Sequence, residues 1–461
     1  MDTKRFSFDT ALTLIAAYLG LFVGLIDANA VNLALPAVRN DLGGGISGAQ
    51  WTIDAYNITF AAVLLTAGSL GDRFGRRTLL RIGLVTFIVA SLVCAAAPSL
   101  PSLLAARAVQ GVGAAIMLPQ GLAIAATAFP SPVERGRATA AWAVAAAMST
   151  AIGPILGGVL TDTLGWRYIF WLNAPVGVVA LFMTYRFLPE SRDPDAASFD
   201  VPGQTLAMFG LSTLTIVLVE ARSMAPAWTV ALAVVAVAGI AAFLRSQQRV
   251  KHPMLPLDLF RSRRLVAALI ATFTMTFGIY GLLLVNSFAF QQQRGASALV
   301  TALWFLPMPL TYLVFIPAVN ALARRTGPRL PMAAGLTLMA AGMALYAAAG
   351  PKADVWLIEL SFVLAGAGLA LNTGPAVGLA MSAVPVQRAG LASGVVNLAR
   401  LVGITVGVAV LGSAMAAVGG ADGARIATML GGLVQLIGAA VALRWARSEK
   451  PAPLQEEVCH A

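Results

Sequence analysis

The chain has 461 residues, of which 59% are hydrophobic and 11% charged. A soluble domain carries about 25% charged residues, so this composition excludes a water-exposed surface over most of the chain and calls for a polytopic membrane protein. The net charge of +11 would suit a nucleic-acid partner, but the placement of the basic residues argues against one.

With about 20 apolar residues as one span, fourteen spans are expected. They start near Leu12, Trp51, Leu79, Leu103, Ala140, Tyr168, Gly203, Ala227, Leu265, Thr301, Leu330, Val355, Leu391 and Ile426. With both termini on one side, that side holds about 23 of the 31 Lys and Arg residues. Such a bias marks it as cytoplasmic, and no nucleic-acid partner is expected. Cys94 and Cys459 make no disulfide or metal framework.

Span 1 holds Asp27 within Leu25-Ile-Asp-Ala-Asn-Ala-Val-Asn-Leu-Ala-Leu-Pro36, and span 2 holds Asp54 one turn after Gln50. Arg107 opens span 4 in Arg107-Ala-Val-Gln-Gly-Val-Gly113. Ionisable groups in hydrocarbon are costly and usually functional. With Pro36 taken as the outer end of span 1, Asp27 lies ~13 Å deep, Arg107 ~9 Å and Asp54 ~6 Å. The three are expected to form one outer-layer cluster in which proton and cationic substrate compete for carboxylate. The plainer alternatives put Asp54 at the headgroup interface and have Asp27 satisfy a neighbouring helix. Glu220 and Glu359, at span ends, read as structural.

The loop between spans 2 and 3, Gly68-Ser-Leu-Gly-Asp-Arg-Phe-Gly-Arg-Arg77, is a candidate gate built from Gly68, Gly71, Asp72, Arg73, Gly75, Arg76 and Arg77. Asp72 is placed to cap a neighbouring helix or to pair with an arginine across the bundle. A worn copy, Ala323-Arg-Arg-Thr-Gly-Pro-Arg329, follows at a spacing of 252 residues. Pro132-Val-Glu-Arg135 likewise matches Pro385-Val-Gln-Arg388. The shift of eight spans keeps orientation, so the halves are parallel repeats, as in secondary transporters. The expected units are residues 1–190 and 265–447, a linker with two extra spans over 191–264, and a tail over 448–461. The lone His252 of the linker reads as a loop-surface residue.

In span 5, Gly153, Pro154, Gly157 and Gly158 combine close helix approach with a proline kink. Substrate candidates are the acids Asp27 and Asp54 and the polar or aromatic residues within spans. The latter are Tyr56, Asn57, Met117, Gln120, Trp142, Met148, Asn173, Tyr280, Asn286, Trp304, Met308, Tyr312, Asn372 and Asn397. The chain has no Gly-x-x-x-x-Gly-Lys-Ser/Thr loop, metal cluster or nucleophile arrangement, so neither an ATP-driven pump nor an enzyme is expected.

Together these residues resemble the major facilitator superfamily over nearly the whole chain. Gly68 to Arg77 is similar to its loop 2–3 signature, and Arg107 to Gly113 to its span 4 signature, whose arginine is implicated in proton transfer. Gly153 to Gly158 is similar to its antiporter signature. The Asp27 segment, Trp51 to Tyr56, Trp166-Arg-Tyr-Ile-Phe-Trp-Leu-Asn-Ala-Pro175 and His252-Pro253 resemble the fourteen-helix drug:proton antiporter branch. The resemblance implies an all-α fold of two six-helix bundles plus two central helices, in a bacterial cytoplasmic membrane. It also implies export of lipophilic drugs driven by the proton-motive force without a cofactor. Asp27 and Asp54 match acids found in multidrug members, with Arg107 as the third coupling residue. Asn29 stands where threonine is usual, and spans 10 and 13 lack the carboxylate of dication exporters. Span 13 has Asn397 and Arg400 instead. Monocations or neutral lipophiles are therefore the expected substrates of a monomeric transporter. The alternatives are a proton-coupled exporter of one metabolite and a receptor or scaffold that kept the fold.

Overall fold

The computed structural model describes residues 8–128, 132–192, 200–250, 253–350, 353–384 and 388–446. These residues form fifteen α-helices and no strand: α1 (Phe8–Leu42), α2 (Gly45–Phe74), α3 (Arg76–Ala95), α4 (Leu100–Ala128), α5 (Pro132–Thr163), α6 (Arg167–Phe187), α7 (Val201–Glu220), α8 (Pro226–Gln247), α9 (Arg263–Phe288), α10 (Ala298–Phe305), α11 (Pro307–Thr326), α12 (Arg329–Ala349), α13 (Val355–Ser382), α14 (Ala389–Val418) and α15 (Gly420–Trp445). Thirteen spans are long and apolar enough to cross a membrane, and α2, bent by 54° between Leu64 and Thr66, makes a fourteenth. Helices α10 and α11 share one span that breaks at Leu306, where Pro307 cannot donate to the helical ladder.

The helices begin close to the positions expected from hydropathy, with one consequential difference. Pro36 lies inside α1, which continues to Leu42. Proline is tolerated within membrane helices because surrounding groups take over the freed backbone partners. Asp27 is therefore ~22 Å from the end of its helix rather than ~13 Å. Residues 385–387, His252 and the tail over 448–461 lie outside the described residues.

Helices α1–α6 pack chiefly among themselves, as do α9–α15; the α7–α8 hairpin lies against both α2 and α14. The repeated loops share a backbone device. Gly75 joins α2 to α3 at φ 102°, and Gly327 joins α11 to α12 at φ 74°. A side chain is strained in this left-handed region. At Gly75 a Cβ would also meet Glu190 Oε1 at 2.7 Å.

The hydrogen bonds that tie the halves together gather at the end opposite the termini. Ser287 Oγ and Gln291 Nε2 each donate at 2.9 Å to the α1 carbonyls of Asn32 and Leu33. Gln50 Nε2 donates to the carbonyls of Val408 and Ala409 at 3.0 and 2.7 Å. Asp162 accepts from the first two N–H groups of α10, Ala298 at 3.0 Å and Leu299 at 2.8 Å. The hairpin joins in: Glu220 accepts from Ser47 Oγ (2.5 Å) and Trp51 Nε1 (2.9 Å), and Ser413 Oγ donates to Leu218 O at 2.8 Å. The bundle is thus latched at this distal end, around a 360 Å³ surface cleft between α1, α5 and the start of α10.

Candidate functional site

The span 4 segment places its side chains by helical phase. Arg107 and Gly111, four apart, face α2. A Cβ on Gly111 would lie 2.3 Å from both Tyr56 O and Thr59 Oγ1, so glycine is what lets α4 close onto α2. The guanidinium then reaches Thr52 O (Nε, 3.1 Å) and sits 4.4 Å from the centre of the Tyr56 ring. Gly113 does the same against α3: a Cβ there would lie 2.7 Å from Phe87 N. That approach brings Gln110 to Ser91 Oγ at 2.8 Å.

The result is a buried charge pair. Arg107 Nη1 lies 2.5 Å from Asp27 Oδ2, with the side chains 2% and 0% exposed. Asn173 Nδ2 and Gln110 Nε2 donate to the other carboxylate oxygen at 2.7 and 3.1 Å. Gln110 Oε1 in turn accepts from Arg107 at 2.6 Å. Asp27, Arg107, Tyr56 and Asn173 were candidates from sequence; Gln110, Ser91 and the Thr52 carbonyl were not. The signal for Gln110 was available, since it lies inside the same segment and on the α3-facing side.

Asp54 does not join this cluster. It is fully buried, and neither carboxylate oxygen has a hydrogen-bond partner among the described residues. The reason is rotational. Thr52, Tyr56 and Thr59 lie on the α4 side of α2, whereas Asp54 is two residues from both Thr52 and Tyr56 and therefore opposite them. It shares a face with Gln50 and Asn57, at i, i+4 and i+7. That is the face whose Gln50 is bound to α14 of the other half.

Other candidates divide by location. Tyr280, Tyr312 and Asn372 lie on α9, α11 and α13 of the second half, and Thr276, one turn before Tyr280, donates to the Arg400 carbonyl of α14 at 3.0 Å. Asn372 Nδ2 donates to Ala271 O at 3.2 Å, while its Oδ1 has no partner; Asn286 is buried with both amide atoms unpaired. Trp142 and Asn397 are half-buried, and Asn57 is buried on α2. Three candidates sit in helix packing instead. Met117 fills the space beside Gly20, Gly24 and Gly83. Gln120 donates to Ala67 O at 2.7 Å beside Gly71. Trp304 packs edge-on against Phe290, with centroids 5.2 Å apart.

The gate loop is held by a residue that sequence reasoning missed. Glu190 accepts from Arg77 N (3.0 Å), Thr78 N (3.1 Å) and Thr78 Oγ1 (2.7 Å), so its carboxylate caps α3. Asp72 pairs with Arg76 of its own loop at 2.7 Å rather than across the halves. Arg73 is exposed beside Phe74, and Gly68 lies half-buried in the last turns of α2. In α5, Gly153 and Gly157 fit against α1, where Cβ atoms would lie 2.8 Å from Asn29 Cβ and 2.6 Å from Ala30 O. Gly158 faces the other half, 2.8 Å from Leu299 Cα by the same measure. Pro154 lies inside the same helix.

Two helical bundles latched to each other at one end, with a buried charge pair inside the first, define a polytopic membrane transporter. The chain belongs to the Major Facilitator Superfamily, whose model matches residues 17–408 and 268–457. It is 37% identical over 410 residues to the multidrug resistance protein Stp of Mycobacterium tuberculosis, covering 88% of this chain and 76% of that one. It is 33% identical over 438 residues to a methylenomycin A resistance protein of Streptomyces coelicolor, covering 92% and 90%. Among solved structures, a POT family transporter superposes with TM-score 0.71 at 15% identity over 95% of each chain, a likeness of fold alone. Within that superfamily the chain is of the multidrug efflux type.

Proposed function

We propose that the protein is a proton-coupled antiporter that exports lipophilic monocations or neutral compounds from a bacterial cytoplasm by alternating access. The end that carries the termini and the basic excess faces the cytoplasm. The observation that carries this reading is the contrast between the two interior acids. Asp27 is fully occupied by Arg107, Asn173 and Gln110. Asp54 is equally buried, has no partner, and lies on the face of α2 that meets α14. A proton or a substrate cation can therefore take Asp54 without displacing a protein group. Its position at the seam lets occupancy bias how the halves meet.

Gln50, Ser287, Gln291, Asp162 and Glu220 hold the outer side shut, so the described conformation is the outward-closed one. Opening it requires those bonds to part together, by rocking one half against the other. In the gate loop Asp72 is paired to Arg76 of the same half.

Everted vesicles carrying the protein, energised by respiration and monitored with an acridine dye, test the proposal. Ethidium should dequench the dye with wild type, and Asp54→Asn should abolish the response while leaving the protein in the membrane. Retained ethidium-driven exchange in Asp54→Asn would remove that acid from the mechanism. A second reading, export of a single antibiotic, is favoured by the relative named for methylenomycin A. A resistance profile confined to one compound class would select it.

A further inference from the structure

Arg400 stands at the middle of α14, eleven residues after Ala389 and eighteen before Val418. It is half-buried, its Nε is buried without a hydrogen-bond partner, and its guanidinium forms no ion pair among the described residues. Arg107 shows the contrast: the other arginine inside a span has a carboxylate, a side-chain amide, a carbonyl and a ring around it. A guanidinium held in a membrane interior without a counter-ion is costly and marks a ligand path.

No acid of the described residues forms an ion pair with Arg400. The described acids of the second half, Asp354, Glu359 and Asp422, lie at or just after the distal starts of α13 and α15. Even Glu359 is ~20 Å away along the bundle axis by helical rise. Asp27 is already bound to Arg107. Asp54 lies four residues deeper than Gln50, which bonds to Val408 and Ala409 of α14, so its depth differs from that of Arg400 by ~7 Å, and neither of its carboxylate oxygens bonds to a described residue. Around Arg400 stand groups suited to an anion with an aromatic body. Thr276 of α9 donates to the Arg400 carbonyl at 3.0 Å, which sets Tyr280 one turn further along the same face, and Thr373 of α13 reaches Met275 of α9 at 3.6 Å. Tyr312 of α11 lies within range of the same charge. Helices of the second half thus meet around a cation that forms no ion pair among the described residues.

We propose that Arg400, with Tyr280 and Tyr312, forms a subsite for an acidic group on the transported compound: a carboxylate or sulfonate attached to a lipophilic, aromatic body. The guanidinium offers a fork of N–H donors to two acidic oxygens, and the flanking phenols add donors while stacking on the apolar part. This rests on the export reading and extends its substrate range. Asp54 receives a cationic end or a proton, whereas Arg400 selects acidic and zwitterionic compounds that an acid-lined cavity would repel.

The test uses two dyes that differ in one group, rhodamine B with its free carboxylate and rhodamine B ethyl ester without it. Binding of each to the full chain in lipid nanodiscs is measured by fluorescence polarisation. Wild type should prefer the acid, and Arg400→Gln should lower the acid-to-ester affinity ratio about tenfold. Arg400→Lys should restore part of that ratio. A ratio unchanged by Arg400→Gln, an equal loss for both dyes, or no binding of either dye to wild type overturns the proposal. Ethidium-driven proton exchange by wild type in proteoliposomes reports separately on the export reading. Its absence would sink that reading while leaving the dye-affinity ratio to stand or fall alone.

Discussion

Replacing Asp27 with asparagine keeps the side-chain shape and removes the charge that faces Arg107. Arg107 is then a buried cation, 2% exposed, without its counter-ion. Breaking one side of such a pair destabilises by ~3–5 kcal/mol. Here Arg107 keeps Gln110 Oε1 at 2.6 Å, the Thr52 carbonyl at 3.1 Å and the Tyr56 ring at 4.4 Å. These remaining partners place the expected loss at the lower edge, about 3 kcal/mol. Arg107→Gln should have a similar effect, since it strands a carboxylate with only amide donors. In the double variant neither charge is left alone, so its loss should fall short of the summed single losses by ~2 kcal/mol. Equilibrium unfolding of the full chain in detergent, followed by tryptophan fluorescence, measures all three. Additive losses, within ~0.5 kcal/mol, would refute the view that these two residues act as one buried unit. The double variant should fold and yet fail to exchange protons for ethidium.

Gly158→Val should push α5 away from the start of α10, because even a Cβ would lie 2.8 Å from Leu299 Cα and 2.9 Å from Ala298 O. The distal latch should loosen, read as faster maleimide labelling of a cysteine placed at Ala37. Gly111→Val should cost ~1–3 kcal/mol by overpacking, with weaker drug resistance at normal membrane levels, measured by unfolding and by growth on ethidium. At the gate, burial pushes the Glu190 carboxyl up, but the Thr78 hydroxyl and the N–H groups of Arg77, Ser191 and Thr78 outweigh it. They hold it below its ordinary value of 4.5. With the folded value depressed, its stabilisation is complete above the ordinary range and fades as pH falls through the lower folded value. Amide exchange over residues 76–80 should therefore quicken on acidification in wild type, and Glu190→Gln should flatten that dependence.

The spans were legible because they depend on pattern alone. Hydropathy marks where helices cross, and glycine at 75 and 327 marks where two helices must part at positive φ. Pairing depends instead on how each helix is rotated about its axis, which composition does not carry. Depth alone grouped Asp54 with Asp27 and Arg107. Phase separates them, and that phase could have been read from α2: Gln50, Asp54 and Asn57 fall on one side, Thr52, Tyr56 and Thr59 on the other. Glu190 was hidden for another reason. Its partners are backbone N–H groups more than a hundred residues away, and any sequence offers those. Met117, Gln120 and Trp304 show the converse, since polar, sulfur-bearing or aromatic side chains inside spans serve helix packing as readily as ligands.

The two interior arginines carry the last step. Arg107 is enclosed by four partners, whereas Arg400 forms no ion pair among the described residues. Full compensation suits a group that must stay in place while charge nearby changes, because any displacement loses several bonds at once. An uncompensated guanidinium suits the opposite task, since a ligand that neutralises it gains an interaction no protein group already holds. On this reasoning the first half specialises in ion handling, with Asp54 at its seam as the exchangeable site. The second half, free of interior acids among its described residues, is left to discriminate compounds by shape and charge.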